Sequence, residues 1–202
     1  MATTSETVIL ASASATRAVM LRAAGVVFTV EPAAVDEAAI KCEHRTAGRD
    51  APACAMALAE AKALAVATRH PSALVIGVDQ ILVAGEQWFD KPVNLDEAAD
   101  HLRRLRGRDH TLATAGCVFR GETRLWHKIS TPTLTMRRFG EDFIAGYIAA
   151  EGDAVLGSVG AYRIEGRGIQ LFARIEGDYF AILGLPLLEL LDFLRGRGIL
   201  AE

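Results

Sequence analysis

The sequence predicts an α/β fold, a mixed sheet with flanking helices, carried by one domain over residues 1–202. Three observations lead there. Short apolar runs of the buried-strand kind alternate with capped helical stretches through the first half of the chain. From His110 to Met136 the pattern turns to long antiparallel strands, so the composition shift near Gly107 marks a second, mainly β lobe. Finally, 51% of the 202 residues are hydrophobic and 23% charged, enough apolar mass for a buried core and too much for a disordered chain.

The elements follow in order. Thr7–Ala11 is a strand that runs into Ser12-Ala13-Ser14, and Ser14 is a good cap for a helix over Ala15–Ala24 that stops at Gly25. Val26–Glu31 reads as a second strand, followed by Pro32 and the acidic pair Asp36-Glu37. Residues 41–51 are polar and are expected to form a loop, with Cys42-Glu43-His44 inside it. Asp50 and Pro52 open an alanine-rich helix to about Arg69. Ala73–Val78 is the strongest buried strand and is expected to end at Asp79. Ile81–Ala84 and Gln87–Phe89 make a hairpin about Gly85-Glu86, and Asn94 caps a helix ending near Arg106. Two long strands meet at Gly121-Glu122, a helix spans Glu141–Ala150, glycine-dense turns fill 157–184, and Pro186 opens a closing helix over Leu185–Arg195.

Charge and cysteine usage narrow the function classes. Lys and Arg number 22 against 25 Asp and Glu, a net charge of −3, which counts against a chain built to coat nucleic acid or an anionic membrane. Arg103, Arg104, Arg106 and Arg108 cluster at a helix end, where dipole compensation explains them better than nucleic acid does. Three cysteines without C-x-x-C spacing form neither a disulfide framework nor a zinc site and fit the cytoplasm. No signal peptide is visible at Met1–Thr7, and no apolar run approaches the ~18 residues of a spanning helix.

Several residues are candidates for chemistry, each with a plainer alternative. Asp79, at the end of a buried strand, stands where α/β proteins place ligands; it is otherwise a turn former. Glu37 follows another strand and could share a hard divalent cation with Asp79, or be a solvated loop charge. The strand–serine turn–helix junction of Ser12 and Ser14 can hold a phosphate on backbone N–H groups. Arg17 opposes the helix dipole there, a small cost that a bound anion offsets. Lys62 in the alanine-rich helix and Lys91 before Pro92 are further cations, with snorkelling and an exposed loop as their plainer readings. Walker-type and nucleophile-elbow motifs are absent.

In order, LASASATR at 10–17, VDE at 35–37, GVDQ at 77–80, DKP at 90–92 and GSVGAYRIEGRG…IEGDYF…GLPL across 157–187 resemble the Maf family of nucleoside triphosphate pyrophosphatases. The resemblance implies a metal-dependent hydrolase that converts a nucleoside triphosphate to the monophosphate and pyrophosphate. Its fold would carry an elongated mixed sheet and set two lobes around a central cleft, as in the inosine triphosphatases. It implies Asp79 as the catalytic proton acceptor, Ser12, Ser14 and Arg17 in the phosphate turn, and Lys62 and Lys91 toward the triphosphate. Glu37 would join Asp79 at the metal, Mg²⁺ or else Mn²⁺. The first motif departs from the family's Ser-Pro and arginines, reading Ser14-Ala15-Thr16-Arg17. Members directed at dTTP and UTP read Asp-Thr and Ile-Gln-Gly where this chain has Asp79-Gln80 and Ile164-Glu165-Gly166, which is more similar to the branch acting on 7-methyl-GTP. Gln80 and Glu165 are therefore candidate substrate-binding residues, with a salt bridge from Glu165 to Arg163 or Arg167 as the alternative. A regulator of cell division and a nucleic-acid-binding module are the competing function classes. The expected partner is a nucleoside triphosphate, with neither nucleic acid nor membrane, and a homodimer is compatible.

Overall fold

The computed structural model describes residues 6–201. The expectation of no signal peptide at Met1–Thr7 concerns residues that lie mostly outside these. Among the described residues, eight strands, β1 (Val8–Leu10), β2 (Thr29–Val30), β3 (Leu74–Ala84), β4 (Gln87–Phe89), β5 (Asp109–Arg120), β6 (Thr123–Ser130), β7 (Thr133–Met136) and β8 (Phe172–Glu176), form one mixed sheet in the order β2-β1-β3-β5-β7-β8, with β4 on β3 and β6 on β5. The α/β expectation therefore holds. The chain divides into two compact units, the first of Met1–Gln80, Thr114–Ser130 and Asp178–Glu202, the second of Ile81–Ala113 and Thr131–Gly177.

In the first unit, β1 (Val8–Leu10) pairs in parallel with β2 (Thr29–Val30) and with β3 (Leu74–Ala84). The second strand is shorter than the sequence suggested, two residues rather than six. Between β1 and β2 lies α1 (Ala15–Ala23), capped by Ser14, whose side chain accepts from the Arg17 N–H. Leu10, Leu21, Leu74, Ile76 and Val78 share one core with Leu185 and with Leu190 and Leu194 of the closing helix α7 (Leu187–Gly196). These side chains are of the kind whose burial contributes about 1.5–3 kcal/mol apiece.

Two expectations are corrected. Residues 41–51 are mostly not a loop: α2 covers Glu37–Thr46, with Cys42, Glu43 and the buried His44 on it, and only 47–50 form the turn to the next helix. Asp36 caps this helix by accepting from Ala39 N–H at 2.9 Å, Glu37 is its first residue, and His44 and Arg45 close its last turn. The Asp36 cap and Glu37 at the start and Arg45 at the end match the helix dipole, which outweighs the polar composition that suggested a loop. Second, β3 does not end at Asp79. It runs on through Asp79 and Gln80 to Ala84, where the predicted hairpin to β4 (Gln87–Phe89) turns at Gly85.

The long alanine-rich helix α3 (Ala51–Ala67) is capped by Asp50, with buried Cys54, Ala55, Leu58, Ala59, Ala63 and Val66 at helical spacing. Beyond it, β5 (Asp109–Arg120) pairs antiparallel with β6 (Thr123–Ser130), with a bulge between Val118 and Phe119, and with β7 (Thr133–Met136), the register carrying over from one to the other: Thr114 faces Ser130 and Thr111 faces Thr133. The expected second strand is thus interrupted at Pro132, which lacks an N–H for the ladder.

The second unit contains α4 (Leu95–Leu105), capped by Asn94, α5 (Glu141–Glu151), three 3-10 turns (Gly152–Gly157, Val159–Ala161, Arg167–Leu171) and β8 (Phe172–Glu176). The arginines near the end of α4 are paired locally, Arg103 and Arg106 with Glu141 and Arg104 with Asp100. Among the described residues, Cys42, Cys54 and Cys117 form no disulfide. Among the described residues, no helix is long and apolar enough to cross a membrane.

His110 is the least comfortable group in that unit. It is buried against Tyr162 and Phe172, its Nε2 lies 3.0 Å from the Tyr162 hydroxyl, and its Nδ1 has no partner among the described residues. Burial pushes its imidazole down to about 4, opposed weakly by Asp109. The unfolded chain, with an ordinary histidine near 6.5, takes up this proton first, so stability falls as pH drops from about 6.5 toward 4. Urea titrations across that interval should show the wild type losing about 3 kcal/mol more than His110→Gln. Equal losses would mean that His110 does not shape the acid limb.

Candidate active site

The site arises where β1 stops and β3 continues. Leu10 pairs with Ile76, and the Ala11 N–H still donates to the Ile76 carbonyl at 2.8 Å. Past that point β1 has no N–H to offer the Val78 carbonyl. Arg17 fills the gap: its Nη1 donates to Val78 O and to Ser12 Oγ, both at 3.0 Å, and its Nε donates to Gly184 O at 2.8 Å. Ser12 Oγ also accepts from the Ser14 N–H at 3.3 Å. Desolvation lowers the Arg17 guanidinium from its ordinary value, while attraction from Asp79 and Glu37 works against that shift.

Asp79, one residue beyond that carbonyl, is 6% exposed. Its Oδ1 lies 2.5 Å from Lys62 Nζ, and the same ammonium is 2.7 Å from Glu37 Oε1. Lys62 is thus not a snorkelling surface cation. It reaches the strand because Gly77 lets α3 come close: a Cβ at Gly77 would collide with the Ala59 carbonyl oxygen and lie 2.8 Å from Ala63 Cβ. The alanine-rich face and the glycine together set the helix–strand distance, and the lysine beside Ala63 then meets the carboxylate two residues past Gly77. Glu37 arrives as the first residue of α2, so the Asp36 cap fixes its place.

Lys62 and Arg17 balance Asp79 and Glu37, two positive charges against two negative. Two carboxylate oxygens converge on one cation-sized point, the place of the ammonium. Among the described residues no cluster of three or more His, Cys, Asp or Glu side chains is arranged for a metal. A divalent cation here would take two protein oxygens and draw the rest from water or phosphate, a donor set that suits Mg²⁺.

The remaining predicted residues are placed differently. The Gln80 amide nitrogen donates to Thr114 Oγ1 at 2.8 Å and to the carbonyls of Ala181 and Ile182 at 2.9 and 3.2 Å, so it is engaged within the first unit. Lys91 and Glu165 belong to the second unit. Lys91 is exposed between β4 and α4. Glu165 faces Arg163 at 3.4 Å, and Arg163 also faces the nearly buried Glu151 at 3.4 Å, so the salt-bridge alternative describes Glu165 as it stands. Sequence reasoning assigned no role to Thr114 or Gly184. A hydroxyl inside a fully buried strand run was the signal for Thr114. Gly184, inside the GLPL motif, sits at φ 98°, and a Cβ there would come 3.2 Å from Arg17 Nε.

Fold and site together define an α/β protein with a charge-balanced carboxylate–lysine–arginine cluster at the end of a parallel strand, the usual ligand position of such sheets. The chain belongs to the Maf family: the model described as Maf-like protein matches residues 7–197. Among curated relatives, a nucleoside triphosphate pyrophosphatase of Granulibacter bethesdensis is 54% identical over 187 residues, covering 93% of this chain and 95% of the relative. One of the same name from Paramagnetospirillum magneticum is 50% identical over 189 residues, covering 94% and 97%. A 7-methyl-GTP pyrophosphatase of Rhizobium etli is 46% identical over 190 residues, covering 94% and 96%.

Proposed function

We propose that this chain hydrolyses nucleoside 5′-triphosphates to the monophosphate and pyrophosphate. The observation that carries the reading is the Lys62 ammonium held between Asp79 and Glu37 beside the Arg17 guanidinium. Phosphoryl-centre hydrolysis demands positioned charge more than covalent catalysis, and these residue types supply it. The relatives' names support the same chemistry and the cleavage between the α- and β-phosphorus.

Arg17, Lys62 and the capped start of α1 bind triphosphate oxygens, and the resemblance adds Lys91 as a further cation. Glu37 and Asp79 would hold a divalent cation, Mg²⁺ or else Mn²⁺, which would supply neutralisation of phosphate charge. Asp79 accepts a proton from the attacking water as its oxygen bonds to the α-phosphorus and the bond from that phosphorus to the bridging oxygen breaks. Pyrophosphate carries off the bridging oxygen. With Asp79→Asn the fold should persist and turnover should drop at least ~10²-fold, the usual scale for a general base. Pyrophosphate release measured with Mg²⁺ and with a chelator checks both points, the chelator reducing wild type to background. Near-normal turnover by a folded Asp79→Asn protein would overturn the assignment.

The base is the finer part of the proposal. Gln80 spends its amide N–H groups inside the protein, so preference rests on Glu165. A carboxylate only accepts, and can pair with guanine's adjacent N1–H and N2–H₂, whereas a glutamine brings a donor into the same place. Leaving such a group unsatisfied costs ten- to hundred-fold in selectivity, roughly. A triphosphate panel should favour GTP and 7-methyl-GTP over dTTP and UTP, with the margin narrowed by Glu165→Gln. Equal or better turnover of dTTP and UTP by the wild type would remove the base reading and leave the pyrophosphatase reading in place.

A further inference from the structure

We infer that Gln80 and Thr114 are positioning residues for Arg17, acting through the turn at Ala181–Gly184. The inference rests on the reading of Arg17 as a triphosphate contact. The turn follows α6 (Tyr179–Ile182), whose start is capped by Asp178 accepting from the N–H groups of Phe180 and Ala181 at 3.0 and 3.2 Å. It is closed by the Gly184 N–H donating to the Ala181 carbonyl at 3.0 Å. That carbonyl also accepts from the Thr114 hydroxyl at 2.8 Å and from the Gln80 amide at 2.9 Å. The first residue of the turn is therefore gripped by β3 and β5, and the last presents its own carbonyl to Arg17 Nε at 2.8 Å.

The hydrogen bonds close a ring. It leaves β3 at Gln80, passes through the turn to Gly184 and Arg17, and returns to β3 at the Val78 carbonyl. Asp79 is the residue between the ring's two anchors on the strand. Two edges of the guanidinium are thereby fixed to carbonyl and hydroxyl acceptors, which orients the third, Nη2, for which no hydrogen bond occurs among the described residues. A guanidinium whose plane is set in advance loses less entropy on meeting a phosphate than a free one. Thr114 is fully buried, so it acts on a ligand by way of the turn rather than by touching it.

A mutant cycle with GTP separates positioning from mere support of the fold. Thr114→Val keeps the shape and removes the hydroxyl; it should raise KM about tenfold with kcat within about threefold, while Thr114→Ser stays near wild type. In an Arg17→Ala background the same Thr114→Val change should move KM less than twofold, because the group being oriented is gone. A tenfold rise in that background, or a lowered Tm with KM unchanged, would overturn the inference. The affinity of α,β-methylene-GTP, measured by calorimetry on the same four proteins, repeats the cycle without turnover. A wild type that binds the analogue but releases no pyrophosphate from GTP or the other triphosphates sinks the proposed function alone, and the cycle then decides the ring by itself.

Discussion

The Lys62 ammonium between Asp79 and Glu37 is the interaction on which the arrangement turns. A carboxylate as buried as that of Asp79 cannot be left without a partner, since an uncompensated buried charge costs several kcal/mol. Each neighbouring element can be understood as a means of meeting that demand. Gly77 and the small residues of α3 allow the helix to approach, and the Asp36 cap sets Glu37 at the mouth of α2. Under the proposed function, a triphosphate with its cation would offer new partners to every charge it disturbs there.

The unequal lengths of β1 and β3 supply the second constraint. A parallel strand that leaves early exposes carbonyls on its neighbour, and backbone acceptors inside a protein are almost always satisfied. Here a side chain from the following helix does it. Arg17 is consequently both a structural staple and a candidate phosphate contact, and the turn at Gly184 is part of the same solution. In this chain the first motif lacks the proline that would pre-set its turn; Ser12 and Ser14 instead tie it down by accepting from Ser14 N–H, Arg17 N–H and the guanidinium.

Much of this was legible from residues alone where a local rule decides. The caps at Ser14, Asp50 and Asn94, the hairpin at Gly85 and the closing helix after Pro186 each follow from chemistry within a few positions. Errors came where the deciding partner is distant. Residues 41–51 looked like a loop because their polar side chains hide a helix whose signals sit at its ends, at Asp36 and at His44-Arg45. Asp79 looked like a strand terminus, yet the strand continues and it is the neighbour, β1, that ends. Gln80 and Glu165 stay candidate substrate contacts, but the sequence does not reveal that the first holds a turn a hundred residues away or that the second faces Arg163. The grouping of Asp79, Glu37, Lys62 and Arg17 was suggested by family resemblance, whereas the reason they fit together, Gly77 and the early end of β1, needed the structure.

In the reaction proposed for this chain, water attacks the α-phosphorus. Hydrolysis in oxygen-18 water, followed by mass spectrometry of both products, tests it most directly. Attack at the α-phosphorus places the heavy oxygen in the nucleoside monophosphate and none in pyrophosphate. Label in the pyrophosphate would put the attack at the β-phosphorus and contradict the account.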